Sequence, residues 1–425
     1  MLKSVRLCIK VLLMRIGILP HADLPHVIPC FRIARELLKL GHDVRILGSD
    51  IYTLGRTHSE VFRDQLPSFG LNGRQFIHQT RDISFFDWLI RQFKELELDV
   101  MILDAAWQSL TFGAHASGLL RSVIVHHAGF PDFRSRDLPP WRFVHPGHSK
   151  EQQERARRSV AADQAGQVFR TMFSAIKAAS GAGPAAPDAF EFGCNEFATL
   201  PAVRAISLCP SIEFPEERGR IDYFGTLLPT PHDPDWKRLP AELIDGSEIL
   251  IACAFGTTAI LTPEERQWLS TMATALARSF PRSQVVAALP GDARLNDATA
   301  PGNLLKLAWL PLWELLSTRK AAKVLVSTPG VGALREAVAS ATPVVALPRG
   351  LDQFGAAARV EYFNLGSALV SPGLPPPELV VRHVAHVLED ETIQTKVRQF
   401  KQEIDAFDAT LPLKRAMGSS PRDIE

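Results

Sequence analysis

Two side chains are placed by their sequence context to move a proton. His26 lies in PHVIP, between the apolar run MRIGIL (14–19) and a helix expected to start near Pro29, and Asp104 closes the run DVMILD (99–104). If both runs are strands of one parallel sheet, their ends point the same way and the two side chains can meet. A carboxylate bonded to one imidazole nitrogen fixes the tautomer and stabilises the cation, leaving the other nitrogen as a general base. The same residues also fit a plain loop histidine and a strand-end aspartate capping the next helix. A third segment, STPGVGALREAV (327–338), joins a strand to a helix. Its glycines let backbone N–H groups approach a phosphate, and the helix N-terminus adds partial positive charge. A dinucleotide fingerprint is disfavoured there, because the third glycine of GxGxxG is Arg335 and no acidic residue closes the next strand, VVALPRG. A purely structural glycine turn remains an alternative. The histidines lack helical metal-ligand spacing, and Asp233-Pro234-Asp235 reads as turn chemistry among prolines, so no metal is expected.

The elements that must position these residues follow from periodicity. After MRIGIL comes a helical stretch with Ile33, Ala34, Leu37 and Leu38 on one face, closed by Gly41 and followed at once by the strand DVRIL (43–47). Strand, loop, helix, strand is the βαβ unit of a parallel sheet. The pattern recurs at DVMILD, a helix through 105–118, and SVIVHH (122–127). A long loop rich in Pro, Arg and aromatic residues (129–150) precedes an amphipathic helix in 150–179, whose arginines 155, 157 and 158 read as a solvated face rather than an RNA contact. GAGPAAPDA (181–189) is a turn region. Periodicity is lost and prolines gather near 228–246, which marks a linker. Beyond it EILIACAFGTT, SQVVAALP, AKVLVSTPG and TPVVALP alternate with helical stretches as a second α/β domain. The expected limits are 1–228, a linker at 229–246, and 247–425, with the last helix packing back on the first domain.

Composition narrows the function classes. With 425 residues the chain is long enough for two domains, and 47 Lys plus Arg against 46 Asp plus Glu leave no field to hold a polyanion. Nucleic-acid binding and a polybasic membrane anchor are therefore not expected. The five cysteines are widely spaced without a CxxC, which fits a reducing cytoplasm. Lys10 and Arg15 interrupt the N-terminal apolar run, so neither an export signal nor a stable membrane insertion is expected, and Met14 is an alternative start to Met1.

Several motifs in order carry a family resemblance. PHVIP…IARELLKLGHDVRI resembles the GHxxPxxxLAxxLxxxGHxVxx opening of the nucleotide-sugar-dependent glycosyltransferases with the GT-B fold, which include plant UDP-glucosyltransferases and bacterial macrolide glycosyltransferases. AFGTT (254–258) resembles their SLGT strand, NLLKLAWLPLWELL (303–316) their NVxVxxWVPQxxLL segment, and 327–360 their donor signature ending in DQxxNAxRV. The likeness covers about 14–118 and 205–371. It implies two Rossmann-like domains facing across a cleft, His26 as catalytic base and Asp104 as its partner. It further implies Trp309 stacked on the nucleotide base, Glu336 on the ribose hydroxyls, and Thr257, Thr328, Gly330 and Gly332 around the diphosphate. Asp352 and Gln353 would bond the donor sugar. Read without the resemblance, Trp309 is a core aromatic sharing a helix with Trp313, and Glu336 a first-turn glutamate.

The departures bear on the same contacts. Thr328 followed by Pro329 stands where the family has its phosphate-contacting histidine, Gly332 and Ala333 replace the Asn-Ser of plant members, Leu312 replaces the Gln of WVPQ, and Ala356 the Asn of DQxxNA. The resemblance implies an inverting, metal-independent transfer from a UDP- or TDP-sugar, used as co-substrate with no resident cofactor, to a hydroxyl of a small lipophilic acceptor. Phe85, Phe86, Trp88 and the aromatics of 130–143 are expected to line its pocket, and the linker to act as a hinge. The alternatives are a catalytically weak homologue that binds a ligand or partner, and a transferase with a different activated donor.

Overall fold

The computed structural model describes residues 13–20, 24–47, 94–105, 122–127, 130, 138–139, 142–161, 191–192, 198–199, 203–216, 222–231, 239, 243, 247–255, 262–289, 300–318, 322–350 and 352–408. Strands β1 (Arg15–Leu19), β2 (Asp43–Ile46), β3 (Val100–Asp104) and β4 (Ser122–His127) carry the apolar runs of the first half, with helix α1 (Leu24–Lys39) between β1 and β2 and α2 (Lys150–Ala161) after β4. A small antiparallel ribbon, β5 (Glu191–Phe192) with β6 (Ala198–Thr199), precedes β7 (Val203–Ile206) and β8 (Asp222–Tyr223). The described strands of this half form a parallel sheet in the order β2-β1-β3-β4-β7-β8. The expected helix at 105–118, the turn region 181–189 and the aspartates of 233–235 lie outside the described residues.

The second half alternates β9 (Ile249–Ala254), α3 (Pro263–Ser279), β10 (Ser283–Ala288), β11 (Leu304–Leu307), α4 (Leu312–Thr318), β12 (Ala322–Ser327), α5 (Val331–Ala339), β13 (Val344–Ala346), α6 (Gln353–Tyr362), β14 (Gly366–Ala368), α7 (Pro377–Glu389) and α8 (Glu391–Asp405). Its parallel sheet has the order β11-β10-β9-β12-β13-β14, the doubly wound arrangement whose strand order reverses between the first and fourth strands. Thr262 opens α3 with a full capping box, its hydroxyl accepting from the Glu265 amide while the Glu265 side chain accepts from the Thr262 amide. Gly41 takes φ +91° just past α1, the left-handed position expected of it. Gly366 lies where a Cβ would stand 1.9 Å from the Val344 carbonyl oxygen, so only glycine lets β14 close on β13.

Two expectations about local structure are corrected. Helix α1 starts at Leu24 and runs through Pro29, so His26 stands in its first turn rather than in a loop. A proline this close to the start removes only one intrahelical hydrogen bond. That loss is offset because Val27, Cys30, Phe31, Ile33, Ala34 and Leu37 are all buried against the first sheet. Trp309 and Trp313 do not share a helix: α4 begins at Leu312, leaving Trp309 in the turn after β11.

Each sheet has its own apolar core, and a third cluster joins the halves. Phe130, Ile206, Ile212 and Phe214 from the first half pack with Leu334, Val360, Phe363, Val397 and Phe400 from the second. Within this seam Arg359 of α6 is ion-paired to Glu213, both side chains almost wholly buried. The guanidinium carbon lies 3.7 Å from the Phe130 ring centroid and 4.2 Å from that of Phe214, a cation held between two π faces. Phe130 is therefore spent on the seam rather than on an acceptor pocket. Phe85, Phe86, Trp88, Phe133 and Trp141 lie outside the described residues. Among the described residues no helix is long and apolar enough to cross a membrane.

Candidate active site

Ligands of open α/β sheets bind outside the carboxyl ends of strands where the strand order reverses. In the second sheet that point lies between β9 and β12, whose ends are in register at Ala254 and Ser327. The Ser327 hydroxyl donates to the Ala254 carbonyl at 2.5 Å, tying the roots of the two loops together. The loop after β12 leads straight into α5, capped by Gly330 with no side-chain hydrogen bond at its N-terminus. A Cβ on Gly330 or Gly332 would meet nothing within 4 Å, so these glycines keep open the space in front of the helix amides. Thr328 is 8% exposed, and its buried Oγ1 has no hydrogen-bond partner. An unpartnered hydroxyl beside a helix start without a side-chain cap is a geometry suited to an anion.

The other described residues singled out in the sequence for the donor side lie on the loops and helices of the same half of the chain. Trp309 is 53% exposed, whereas Trp313, four residues on, is half-buried with its indole N–H donating to the Pro229 carbonyl at 2.7 Å. The two tryptophans thus separate cleanly into one presented to solvent and one fixing α4 against residue 229. Glu336 falls in the second turn of α5, not the first, so helix-dipole stabilisation does not explain it. Burial raises its pKa, opposed by the charges of Arg335 and Arg32. Gln353 opens α6 with its Oε1 accepting from the amides of Arg349 at 2.9 Å and Gly350 at 3.3 Å. Asp352 precedes it as the N-cap without a capping bond to the helix. Thr257 lies outside the described residues.

On the first sheet, β1 and β3 are neighbours with Leu19 opposite Leu103, so the helix that follows β1 starts beside the end of β3. That register brings the backbone of His26 and the buried Asp104 to one edge of the sheet. The His26 side chain is outside the described residues. Sequence reasoning missed two further groups at this edge, His126 and Ser207, both buried and joined at 2.9 Å. SVIVHH reads as a plain strand, and nothing in its spacing distinguishes His126.

A separate cluster joins the halves. His145 Nε2 is 3.1 Å and His148 Nε2 3.8 Å from Glu361 Oε1 on α6. The imidazoles are stacked, with centroids 3.8 Å apart and planes 28° apart, so their in-plane lone pairs run side by side instead of converging on one ion. His145 Nδ1 accepts the Gly147 N–H at 3.1 Å, which puts the neutral ring's proton on Nε2, facing Glu361. This geometry is a hydrogen-bonded clasp, although the three ligand atoms lie within 4.8 Å of one another, close enough to hold a metal ion.

Comparison with known proteins bears on the fold. No family model matches the chain, and no curated protein matches it. Solved structures do. The glycosyltransferase of kitacinnamycin superposes with a TM-score of 0.67 at 19% identity, covering 97% of each chain. The glycosyltransferase SnogD from Streptomyces nogalater gives 0.64 at 18%, covering 95% of this chain and 98% of that one. The chain has the GT-B fold. Within that fold, spinosyn rhamnosyltransferase SpnG complexed with thymidine diphosphate gives 0.62 at 19%, covering 94% and 98%. At such identities the likeness is one of architecture, and the chemistry must be argued from this chain's own side chains.

Proposed function

We propose that this protein is a metal-independent, inverting glycosyltransferase that moves a sugar from a thymidine- or uridine-diphosphate sugar to a hydroxyl of a small lipophilic acceptor. The observation that carries this reading is the uncapped N-terminus of α5, open in front of Gly330 and Gly332 and flanked by the buried, unpartnered Thr328 hydroxyl. Support comes from the exposed Trp309, able to stack on a base, and from the thymidine diphosphate complex of a protein with the same fold. In this reading residues 1–228 form the acceptor side, 229–246 the linker and 247–425 the donor side, and the nucleotide sugar is a co-substrate rather than a resident cofactor.

The reaction follows from the two sheet ends. His26 takes the proton of the acceptor hydroxyl while Asp104 stabilises the resulting imidazolium. The acceptor oxygen bonds to the anomeric carbon, the bond from that carbon to the diphosphate oxygen breaks, and its electron pair leaves on the diphosphate. The α5 amides, its dipole and the Thr328 hydroxyl meet that charge. Trp309 and Glu336 hold the nucleoside, and Gln353 donates its amide N–H to the sugar with Asp352 accepting beside it. A second reading, binding without turnover, is favoured by Pro329, which lacks the N–H that another residue would offer a phosphate.

The test is nucleoside diphosphate release from TDP- and UDP-sugars with a panel of hydroxylated polyketide and terpenoid acceptors, the product anomer being read by NMR. Expected are an inverted product and a loss of about 10²–10⁴ in kcat for His26→Ala. Donor binding without any product across the panel supports the second reading, and neither binding nor product refutes both.

A further inference from the structure

The proposed chemistry leaves unused a buried polar string that lies beside Asp104. His126, near the end of β4, is wholly buried, with Nε2 2.9 Å from Ser207 Oγ and Nδ1 3.8 Å from Cys30 Sγ. In the β3–β4 register His126 is the partner of Asp104, so the two side chains leave the same face of the sheet side by side. Cys30 stands one helical turn after His26 on α1. Its thiol is pushed well above the ordinary range, first by burial and then by the charge of Asp104, so it lies within the field of that carboxylate. Ser207 is held from the other side, its carbonyl accepting from Arg335 Nη1 at 3.3 Å, next to Glu336 on the donor helix. Packing alone does not call for an imidazole here. The ring lies parallel to Phe224, at 6.4 Å and 6°, and a phenyl group would fill that position without burying polar atoms.

We propose that His126 is a positioning residue for the His26–Asp104 pair: by bridging Ser207 and Cys30 it fixes the first turns of α1 against the end of β3. The proposal rests on the transferase reading only in taking His26 as the base. How closely α1 is held to Asp104 sets the strength of the imidazolium–carboxylate pair, and a nearby carboxylate raises a histidine pKa. The His26 titration therefore reports the positioning directly.

The experiment titrates the full-length protein, with 13C-labelled histidine rings, by NMR, the His26 signal being assigned by its loss in His26→Asn. His126→Phe and His126→Gln both remove the imidazole, but only glutamine can restore a hydrogen bond to Ser207. Ser207→Ala breaks the same bridge with the imidazole left in place. Asp104→Asn gives the full drop available. Expected are a fall in the His26 pKa of about half a unit or more in His126→Phe, a fall of the same sign in Ser207→Ala, and recovery of most of it in His126→Gln. In a transfer assay kcat should fall in His126→Phe with KM for the nucleotide sugar unchanged. An identical His26 titration in wild type, His126→Phe and Ser207→Ala overturns the proposal, as does an equal fall in the Phe and Gln variants. Failure of both thymidine diphosphate and uridine diphosphate to bind the wild type would sink the transferase reading while the His26 titration still decides this one.

Discussion

Arg359 and Thr328 are both buried in the second half of the chain, and they are treated in opposite ways. Arg359 is closed in by Glu213, the Gly355 carbonyl and two aromatic faces. Thr328 Oγ1 has no partner at all. A buried hydroxyl without a partner costs free energy and calls for an explanation. At the seam the two buried charges are paired within the chain, so removing either one strands the other. In the proposed function the loop around Thr328 meets the diphosphate of the ligand, and its unpaired hydroxyl costs the free protein some stability. Predictions that remove partners from the first region should therefore unfold the protein, whereas those aimed at the second should spare stability and lose binding.

The largest expected effect is at the seam. Arg359→Ala or Glu213→Ala strands the other charge in an apolar surround and should destabilise by about 3–5 kcal/mol. Urea unfolding measures it, and a loss under 1 kcal/mol would mean that the seam does not hold the halves together. Next comes Trp309→Ala, which should cost about 1–3 kcal/mol of nucleotide affinity, the usual worth of one base–aromatic stack. Because Trp309 is 53% exposed, the unfolding midpoint of the free protein should hardly move. A large drop in that midpoint would place the indole in the core instead.

Glu336→Gln sharpens the contrast with a sign. Burial raises the Glu336 pKa, so the folded state holds its proton more tightly than the unfolded state does. Its contribution to stability is best below the unfolded pKa and is lost as pH rises through the folded one. At neutral pH Glu336→Gln should accordingly stabilise the free protein while weakening nucleotide binding, with the stabilisation fading in acid. Thermal unfolding between pH 4 and pH 8 reads both limbs. A destabilised Gln variant at neutral pH would show that the carboxylate is held by the protein rather than kept for a ligand. The smallest effect belongs to Thr328→Val, which removes an unpaired hydroxyl of similar volume. It should leave stability unchanged or improve it by less than about 1 kcal/mol, and should weaken diphosphate binding.

What the sequence made legible follows from local physics. Apolar runs bounded by turn residues and separated by helical periods are enough to place β1, β3, β4, β9, β10, β12 and β13, and the glycines of 330–332 announce a loop that must leave room. The departures are just as physical. Pro25 and Pro29 read as loop residues because their local cost is visible in sequence, while the burial of Val27, Cys30 and Phe31 that offsets it is not. Trp309 and Trp313 look alike in sequence because the difference between them is Pro229, 84 residues before Trp313. Glu213 and Arg359 stand 146 residues apart, and His126 and Ser207 81 apart, so no local pattern could pair them. The edge strands β11 and β14 are only half-buried for the most part, so they lack the continuous apolar run that marks the similarly short β13.

The central claim is that the open start of α5 receives the diphosphate of a nucleotide. Calorimetric titration of thymidine diphosphate and uridine diphosphate into wild type, Trp309→Ala and Thr328→Val tests it most directly. Saturable binding of at least one of them to the wild type is expected, weakened about 10-fold or more by Trp309→Ala and to a smaller extent by Thr328→Val, with unfolding midpoints of the free proteins alike. No heat of binding from either nucleotide, or binding that both substitutions leave untouched, would contradict it.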